Sequence, residues 1–421
     1  MDNRPRQGMS GGMTMDTDIL IAGGGLNGPA LALALAQGGF RVTVVDARPA
    51  PARAEAGFDG RAYALAIASQ RLLGAIGVWG AVTDQAQPIL EIKAGDGRPG
   101  AGAGPFLLHF DHAEIEEGPM GHMVEDRFLY AAFLRALEAA PGVTLIPGET
   151  VVAQEVSPAG VGVTLASGRV LRARLLVGCD GRGSGVAARA GINRVGWDYG
   201  QTALVTAIAH DRDHRGIAQQ FFMPAGPLAI LPLRGGRHSS IVWTEATPTA
   251  AAIQALPDHE YLEVLRPRFG DVLGAIALAG ARFTYPLSLS LATRFVAPRV
   301  ALAGDAAHGV HPIAGQGLNL GLRDVAALAE VLILARRRGE DPGAPAALAA
   351  YQQWRRSDAT ALALGMDAVN RLFSSDNPLL RLGRGLGIGA VAAMPALRRG
   401  FIREAAGLTG DLPRLLTGQR V

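Results

Sequence analysis

The segment 304–317 contains several glycines and one acidic residue, Asp305, in a pattern that could bind a cofactor. Gly304 and Asp305 end a short apolar run typical of a buried strand, and Gly315 and Gly317 follow in a loop. From 318 to 332 apolar residues recur at helical spacing, so this loop lies at a helix N-terminus. Free backbone N–H groups and the positive dipole end favour an anion or an electron-rich ring there. The segment therefore predicts a loop that holds a cofactor.

A second group of glycines stands between an apolar strand and a helix near the N-terminus. Gly23, Gly25 and Gly28 fit the pattern G-x-G-x-x-G, and Pro29 suits a first helical position. Asp46 closes the next apolar strand, 21 residues after Gly25 (46 − 25). In this context of strand, turn, helix and strand the pattern indicates a dinucleotide site, with Asp46 placed to accept a ribose hydroxyl.

A similar glycine pattern at 95–100 lacks that context. Pro99 and the glycines and alanines after it cannot start a helix, so we interpret the segment as a hairpin loop. The chain then has one dinucleotide motif and no cysteine pair, which disfavours a disulfide reductase. Arg61, at the entry to another predicted helix, is either a phosphate ligand or a solvated arginine.

Two histidine pairs have a spacing that metal sites use. His308 and His311 are three residues apart, as are His109 and His112, but neither pair has an obvious third ligand nearby. We therefore predict no metal site. The single cysteine, Cys179, excludes an internal disulfide, a cysteine-based zinc site and an iron–sulfur cluster, and its apolar neighbours indicate a buried structural thiol.

Composition narrows the class of protein further. Of the 421 residues, 49% are hydrophobic, yet the longest weakly polar run, 386–397, is shorter than the ~20 residues that a membrane helix needs. Residues 1–17 lack the apolar core of a signal peptide, so we expect a disordered tail and a cytoplasmic protein. The net charge of +3 includes no basic block, which argues against nucleic-acid binding. The only lysine, Lys93, argues against Schiff-base chemistry.

The elements that must position these groups change character along the chain. Helices and buried strands alternate in the first part, whereas 199–285 is dominated by short alternating strands with one helix near 258–269. Such a block predicts an antiparallel sheet inserted into an α/β domain. After 300 the chain returns to the first domain, and beyond about 370 it is helical and rich in arginine.

Three motifs together carry a resemblance to a known family. Gly23 to Gly28 with Asp46, Asp180-Gly181 with Ser184, and Gly304-Asp305 resemble, in order and spacing, the FAD-dependent aromatic hydroxylases of the para-hydroxybenzoate hydroxylase fold. The run 311–324, HPIAGQGLNLGLRD, is similar to the signature of the ubiquinone-biosynthesis hydroxylases. One departure is visible, because the Asp-Gly motif usually continues to an arginine at 187, where this chain has Ala187 and places Arg189 two positions late.

The resemblance implies roles for single residues. In the family pattern, Gly23, Gly25 and Gly28 face the FAD pyrophosphate and Asp46 faces the adenosine ribose. Arg61 and Arg127 are expected near the phosphate and ribitol, and Asp305, with Gly304, at the ribitol. The resemblance places Pro312, Gly315 and Gly317 at the isoalloxazine ring and His311 close to the flavin. It also counts Gln316 and Leu318 among the cofactor-binding residues. No residue is assigned as a catalytic base.

The same resemblance implies a domain organisation: a Rossmann-like FAD-binding domain, an inserted antiparallel-sheet substrate domain and a helical C-terminal segment. The expected boundaries are a tail at 1–17, the FAD-binding domain at 18–85, 115–198 and 286–369, the substrate domain at 86–114 and 199–285, and the C-terminal segment at 370–421.

The implied activity is hydroxylation of an aromatic ring. Noncovalent FAD, reduced by NADPH, NADH or a protein electron donor, would react with O2 to give a flavin hydroperoxide that hydroxylates a prenylated phenol or quinone precursor of ubiquinone. A soluble phenol or natural product is the alternative substrate. A flavin dehydrogenase and a protein that only binds lipid or a partner are the competing classes, although a pure binder would not need the flavin-ring loop.

Leucines and arginines alternate in the segment 379–403 near the C-terminus. This pattern fits a helix on an anionic surface, such as the inner face of the cell membrane, or one that docks on a partner protein of ubiquinone synthesis. It fits ordinary packing helices with arginines in water equally well.

Overall fold

The computed structural model describes residues 14–49, 57–98, 102–374, 387 and 389–421. Its centre is a six-stranded sheet whose neighbours are parallel except at one short edge strand. From that edge, the strands are β19 (Val296–Ala297), β20 (Val300–Leu302), β12 (Leu175–Gly178), β1 (Ile19–Ala22), β2 (Val42–Asp46) and β8 (Val143–Pro147). A parallel sheet is covered on both faces, which explains why its inner strands are continuous apolar runs.

Helices cover this sheet and extend beyond it. Those whose two ends both lie in the described residues are α1 (Asn27–Gln37), α2 (Ile67–Ala75), α3 (Asp126–Ala139), α4 (Gly185–Arg189), α5 (Thr247–Gln254), α6 (Asp258–Leu265), α7 (Gln316–Arg337), α8 (Pro345–Phe373) and α9 (Pro395–Ala405). Residues 387 and 389–393 are helical as well. The apolar stripe predicted from 318 to 332 lies on α7, which packs against α1 in the main core. The glycine-rich turn and the second loop therefore start neighbouring helices.

A nine-stranded sheet forms the other half of the molecule. In spatial order its strands are β21 (His308–Gly309), β18 (Phe283–Ala292), β13 (Arg194–His210), β16 (His238–Ala246), β15 (Gly226–Leu233), β14 (Ile217–Met223), β5 (Glu91–Arg98) and β6 (Gly102–Asp111), while β17 (Ile276–Leu278) also pairs with β13. This sheet has its own apolar core, which includes Trp243 and Tyr261.

The fold class predicted from the sequence is confirmed, with one difference in the second sheet. Strands β14 and β5 are parallel, because β5 belongs to a hairpin from an earlier part of the chain that joins the sheet at its edge. The hairpin predicted at 95–100 is β5 with β6, and its tip at 99–101 lies outside the described residues. Strands β13 and β18 run through the boundaries expected at 198 and 286.

Two small antiparallel sheets and the termini complete the structure. The first contains β3 (Ala62–Ala66), β7 (Gly121–Glu125) and β4 (Gln87–Ile89), and the second contains β9 (Val151–Val156), β10 (Val161–Leu165) and β11 (Val170–Ala173). The expected tail lies outside the described residues as far as 13, whereas Asp16 and Thr17 bind the backbone of Arg172. Within the described part of the chain, no helix has the length and apolarity to cross a membrane.

Candidate active site

The carboxyl ends of the parallel strands open into a cavity of about 790 Å³. Three glycines of the first turn have different surroundings there. Gly23 has φ of +109°, and a Cβ on it would lie 2.3 Å from the Cys179 carbonyl oxygen. A Cβ on Gly28 would lie 2.0 Å from the Gly23 oxygen, whereas one on Gly25 would meet nothing within 4 Å. Gly23 and Gly28 thus close the turn, and Gly25 leaves open space for a ligand.

Two buried oxygens beside this turn have no partner among the described residues. They are Oδ2 of Asp46 and Oδ1 of Asn27, and both residues line the cavity. Asp46 Oδ1 accepts a hydrogen bond from the Arg48 amide at 3.2 Å, which fixes the carboxylate at the end of β2. Unpaired buried acceptors are costly unless a ligand satisfies them. The two oxygens therefore fit a ligand with hydroxyl groups, such as the ribose of a dinucleotide.

Asp305 lies on the cavity wall at a turn that several groups fix. Gly304 has φ of +64°, and the Asn27 side chain fills the space where a Cβ would be. The Arg194 guanidinium donates to the carbonyl oxygens of Asp305, at 3.1 Å, and of Ala306. Arg182 Nε lies 3.5 Å from Asp305 Oδ2. The half-exposed Asp305 carboxylate is thus held toward the cavity with a cation beside it.

The second predicted loop, 312–318, forms the opposite wall. Gly315 has φ of +63° and directly precedes α7, so the free amides of the first helical turn begin here. Asn319 fixes the loop from inside the helix, because its side chain accepts from the Ala66 amide and the Ser69 hydroxyl and donates to the Ala64 and Gly315 carbonyls. The helix N-terminus is therefore rigidly aimed at the cavity.

His311 directly precedes this loop, and its side chain is buried behind it. The ring is 1% exposed and packs edge-on against the Tyr199 ring at 5.3 Å. Neither ring nitrogen has a hydrogen-bond partner among the described residues. Burial, aided by the positive charge of Arg182, lowers the pKa of His311 to about 4. The imidazole is therefore neutral at physiological pH.

The structure brings most, but not all, of the predicted site residues to the cavity. Those on its wall are Gly23, Gly25, Asp46, Asp305, Pro312, Gly315, Gly317 and Leu318. Those outside its wall are Gly28, Arg61, Arg127, Gly304, His311 and Gln316.

The two arginines of this second group are paired with carboxylates. Arg61 lies 2.7 Å from Asp59 and 3.5 Å from Asp126, and Arg127 lies 2.7 Å from Glu125. Sequence reasoning assigned no role to Asn27, Arg182 or Arg194. Only Asn27 gave a signal, by its place inside the glycine motif.

The cavity ends on an apolar face of the nine-stranded sheet. Ala218, Ala229, Leu231 and Val242, with Ile92, line this end. An aromatic ring would find a carbon-rich surface there, across the cavity from the 312–318 loop. Among the described residues, no three His, Cys, Asp or Glu side chains are grouped closely enough to hold a metal ion.

Comparison with known proteins agrees with this geometry. Residues 16–364 match the FAD binding domain family. The chain is 48% identical to the ubiquinone hydroxylase UbiL of Rhodospirillum rubrum, over 95% of this chain and 92% of that protein. It is 37% identical to the 3-demethoxyubiquinol 3-hydroxylase of Escherichia coli, over 93% and 99% of the two chains.

Similarity to a solved structure supports the fold, but not the function. The p-nitrophenol 4-monooxygenase PnpA of Pseudomonas putida superposes with a TM-score of 0.79 at 20% identity, covering 94% of this chain and 99% of that chain. The cavity, the match over most of the chain and the two relatives lead to one conclusion. This chain belongs to the FAD-binding monooxygenase family that includes the ubiquinone hydroxylases.

Proposed function

We propose that this protein uses noncovalent FAD to hydroxylate the aromatic ring of a polyprenylated ubiquinone precursor. One observation carries the proposal: a single cavity joins the glycine-rich turn and Asp46 at one end to the 312–318 loop and an apolar sheet face at the other. When bound, FAD supplies the activation of O2 and the transfer of one oxygen atom to the ring. The ubiquinone hydroxylases among the relatives support the substrate class.

The residues of the chain bind and orient the reactants. Asp46 and Asn27 offer acceptors for ribose hydroxyls, and Asp305 offers one for the ribitol. The first amides of α7 stabilise negative charge that develops beside the loop, because they point from a helix N-terminus. The apolar sheet face excludes water from the ring that is hydroxylated.

NADPH or NADH is the proposed reductant, bound only transiently. Among the described residues, one turn between a strand and a helix, Gly23 to Gly28, has the pattern G-x-G-x-x-G, and our proposal gives that turn to FAD. The nucleotide would therefore bind weakly when substrate is absent. A pyridine nucleotide retained through gel filtration by the substrate-free protein would contradict this.

We propose that the protein binds a membrane surface and takes up its substrate there. Met394, Leu397 and Phe401 expose about half of their surface at α9, and Arg399 and Arg403 of the same helix are exposed. The rest of the leucine and arginine pattern, at 375–386 and 388, lies outside the described residues. Replacing Leu397 and Phe401 by serine should abolish co-sedimentation with anionic liposomes without loss of FAD. Equal binding by the variant and the unchanged protein would contradict the proposal.

Quinone profiling tests the function itself. A strain that lacks this protein should accumulate a prenylated precursor that is one hydroxyl group short. Its mass shows the missing oxygen, and NMR or comparison with synthetic standards identifies the ring position. Purified FAD-loaded protein should then incorporate one atom of isotopically labelled O2 into that precursor. Normal ubiquinone in the deletion strain, with oxygen transfer only to a phenol that has no prenyl chain, would favour the alternative substrate.

A further inference from the structure

A second cavity, of about 690 Å³, adjoins the candidate active site. The two cavities share wall residues, Ala64, Ile89, Ile92 and Gln220. The 312–318 loop lies between them, because Pro312, Gly315 and Gly317 line the first cavity, whereas Ile313, Gln316 and the neighbouring Asn319 line the second. The two cavities are therefore neighbours, separated by this loop and by the side chains that they share.

The floor of the second cavity is one face of the sheet edge. Alternate residues of neighbouring strands point to the same side of a sheet. In register, Ile92 lies opposite Phe110 and Ala94 lies opposite Leu108, and all four line the cavity. The hairpin of β5 and β6 thus adds a carbon-rich floor to the sheet.

The C-terminal helices form the roof. Phe373, at the end of α8, stacks on Phe222 of the floor with ring centres 4.1 Å apart. Phe401 and Ile402 of α9 also line the cavity. Ile402 is buried and Phe401 is 52% exposed, so the cavity opens to solvent beside α9.

Of the three polar side chains on this wall, Asn319 and Gln316 are hydrogen-bonded within the protein, and Gln220 lies where the two cavities meet. Both side-chain polar atoms of Asn319 are used in hydrogen bonds to Ala64, Ala66, Ser69 and Gly315. Gln316 donates to the Ala405 carbonyl at 3.3 Å. A charged or strongly polar ligand would lose its hydration here without replacement, whereas a hydrocarbon chain would not.

We propose that this second cavity binds the isoprenoid chain of the substrate while its ring lies in the first cavity. The inference rests on the proposed function, because it assumes that the ring is the group oxidised. The volume lies within the range of small-molecule sites, and an apolar wall with an apolar mouth suits an extended hydrocarbon. The chain would enter past Phe401 and lie between the hairpin floor and the helical roof.

Two measurements on the FAD-loaded protein test this. Calorimetry with geraniol and farnesol, which are prenyl chains without a ring, should show binding with a negative heat-capacity change, and farnesol should bind about tenfold or more tightly than geraniol. In steady-state assays, kcat/KM should rise by a similar factor with each isoprene unit added to the phenol, until the cavity is full.

Cavity-filling variants sharpen the test. Ala94→Phe fills the floor, and Ala405→Trp narrows the mouth from an exposed position, so at least the second variant should fold normally. Both should lower kcat/KM for prenylated substrates at least tenfold and abolish farnesol binding, while the values for the phenol without a chain stay unchanged. Ala153→Phe, on an exposed strand position away from both cavities, is the matched control.

The outcomes separate the two proposals. Equal effects on substrates with and without a chain, or no farnesol binding by the unchanged protein, would overturn the isoprenoid site. Farnesol binding that the variants abolish, without oxygen transfer to any phenol, would support the isoprenoid site and overturn the proposed function.

Discussion

His308 Nε2 and Asp324 Oδ2 share a hydrogen bond of 2.5 Å in the interior, where neither side chain is exposed. The same carboxylate oxygen accepts from the Gly304 amide at 3.0 Å, and the other oxygen accepts from Arg355 at 2.9 Å. Burial alone would raise the pKa of Asp324, but the His308 and Arg355 partners together hold it below its usual range. Asp324 therefore links α7 and α8 to the turn that carries Asp305.

Asp324→Ala should lower the free energy of unfolding by about 3–5 kcal/mol, because Arg355 would keep a buried charge without its main partner. Asp358 contacts Arg355 and lies 3.6 Å from Arg323, but it is 42% exposed and water can replace it, so Asp358→Ala should cost clearly less than Asp324→Ala. Urea unfolding of both variants gives the comparison. An equal decrease in the free energy of unfolding for the two variants would show that the buried ion pair stabilises the fold no more than the exposed one.

Gly25→Ala and Gly28→Ala should separate cofactor binding from folding of the turn. A methyl group at Gly25 enters the cavity without touching the protein, so the apoprotein should keep its stability while FAD affinity falls at least about tenfold. A methyl group at Gly28 collides with the Gly23 oxygen, so both stability and FAD binding should be lost. Melting curves and flavin titrations measure the two effects. If Gly25→Ala bound FAD with normal affinity, the cofactor would not contact this turn.

Asp305→Ala should weaken FAD binding about ten- to a hundredfold, the equivalent of one hydrogen bond to a charged group, about 1.5–3 kcal/mol. Flavin fluorescence during titration of the apoprotein gives the dissociation constant. Asp271→Ala, which removes an exposed carboxylate paired with Arg266, serves as the control and should bind FAD normally. An unchanged constant for Asp305→Ala would exclude a ribitol contact.

His311 should make stability depend on pH. Its pKa of about 4 lies below the ~6.5 of an unfolded histidine, so the unfolded chain binds more protons between these values. Its contribution is complete above pH ~6.5 and is lost as the pH falls toward 4, by about 2 kcal/mol at pH 5. In urea unfolding, the free energy of unfolding should fall less between pH 7.5 and 5.0 for His311→Leu than for the unchanged protein, by about 2 kcal/mol. The exposed His259→Leu should leave the loss unchanged.

Local patterns predicted the parts of the site that one segment builds by itself. The turn at Gly23 and the loop at Gly315 need positive φ angles, and the apolar periodicity of α7 shows where a helix starts. These signals lie within a few residues of one another in the chain. For that reason the glycine turn, Asp46 and the loop were recognisable without a structure.

Long-range contacts escaped the sequence because no local rule specifies them. Arg194 reaches the carbonyls of the turn from more than a hundred residues away, and β14 pairs with β5 in parallel across a similar distance. The ion pairs of Arg61 with Asp59 and of Arg127 with Glu125 were not predicted either, although each joins residues two positions apart, and a contact of these arginines with FAD stays a prediction. Which partner an arginine takes depends on the packed fold.

Cys179, whose carbonyl oxygen abuts Gly23, has a further practical consequence. It is the only cysteine in the chain; it is half-buried in the wall of the first cavity rather than fully buried as predicted, and burial raises the pKa of its thiol, so it stays protonated at neutral pH. A cysteine introduced on the surface, for instance in place of Leu397, would then react with a maleimide much faster than Cys179. The natural sequence is therefore ready for attachment of a single fluorophore or spin label without prior removal of thiols.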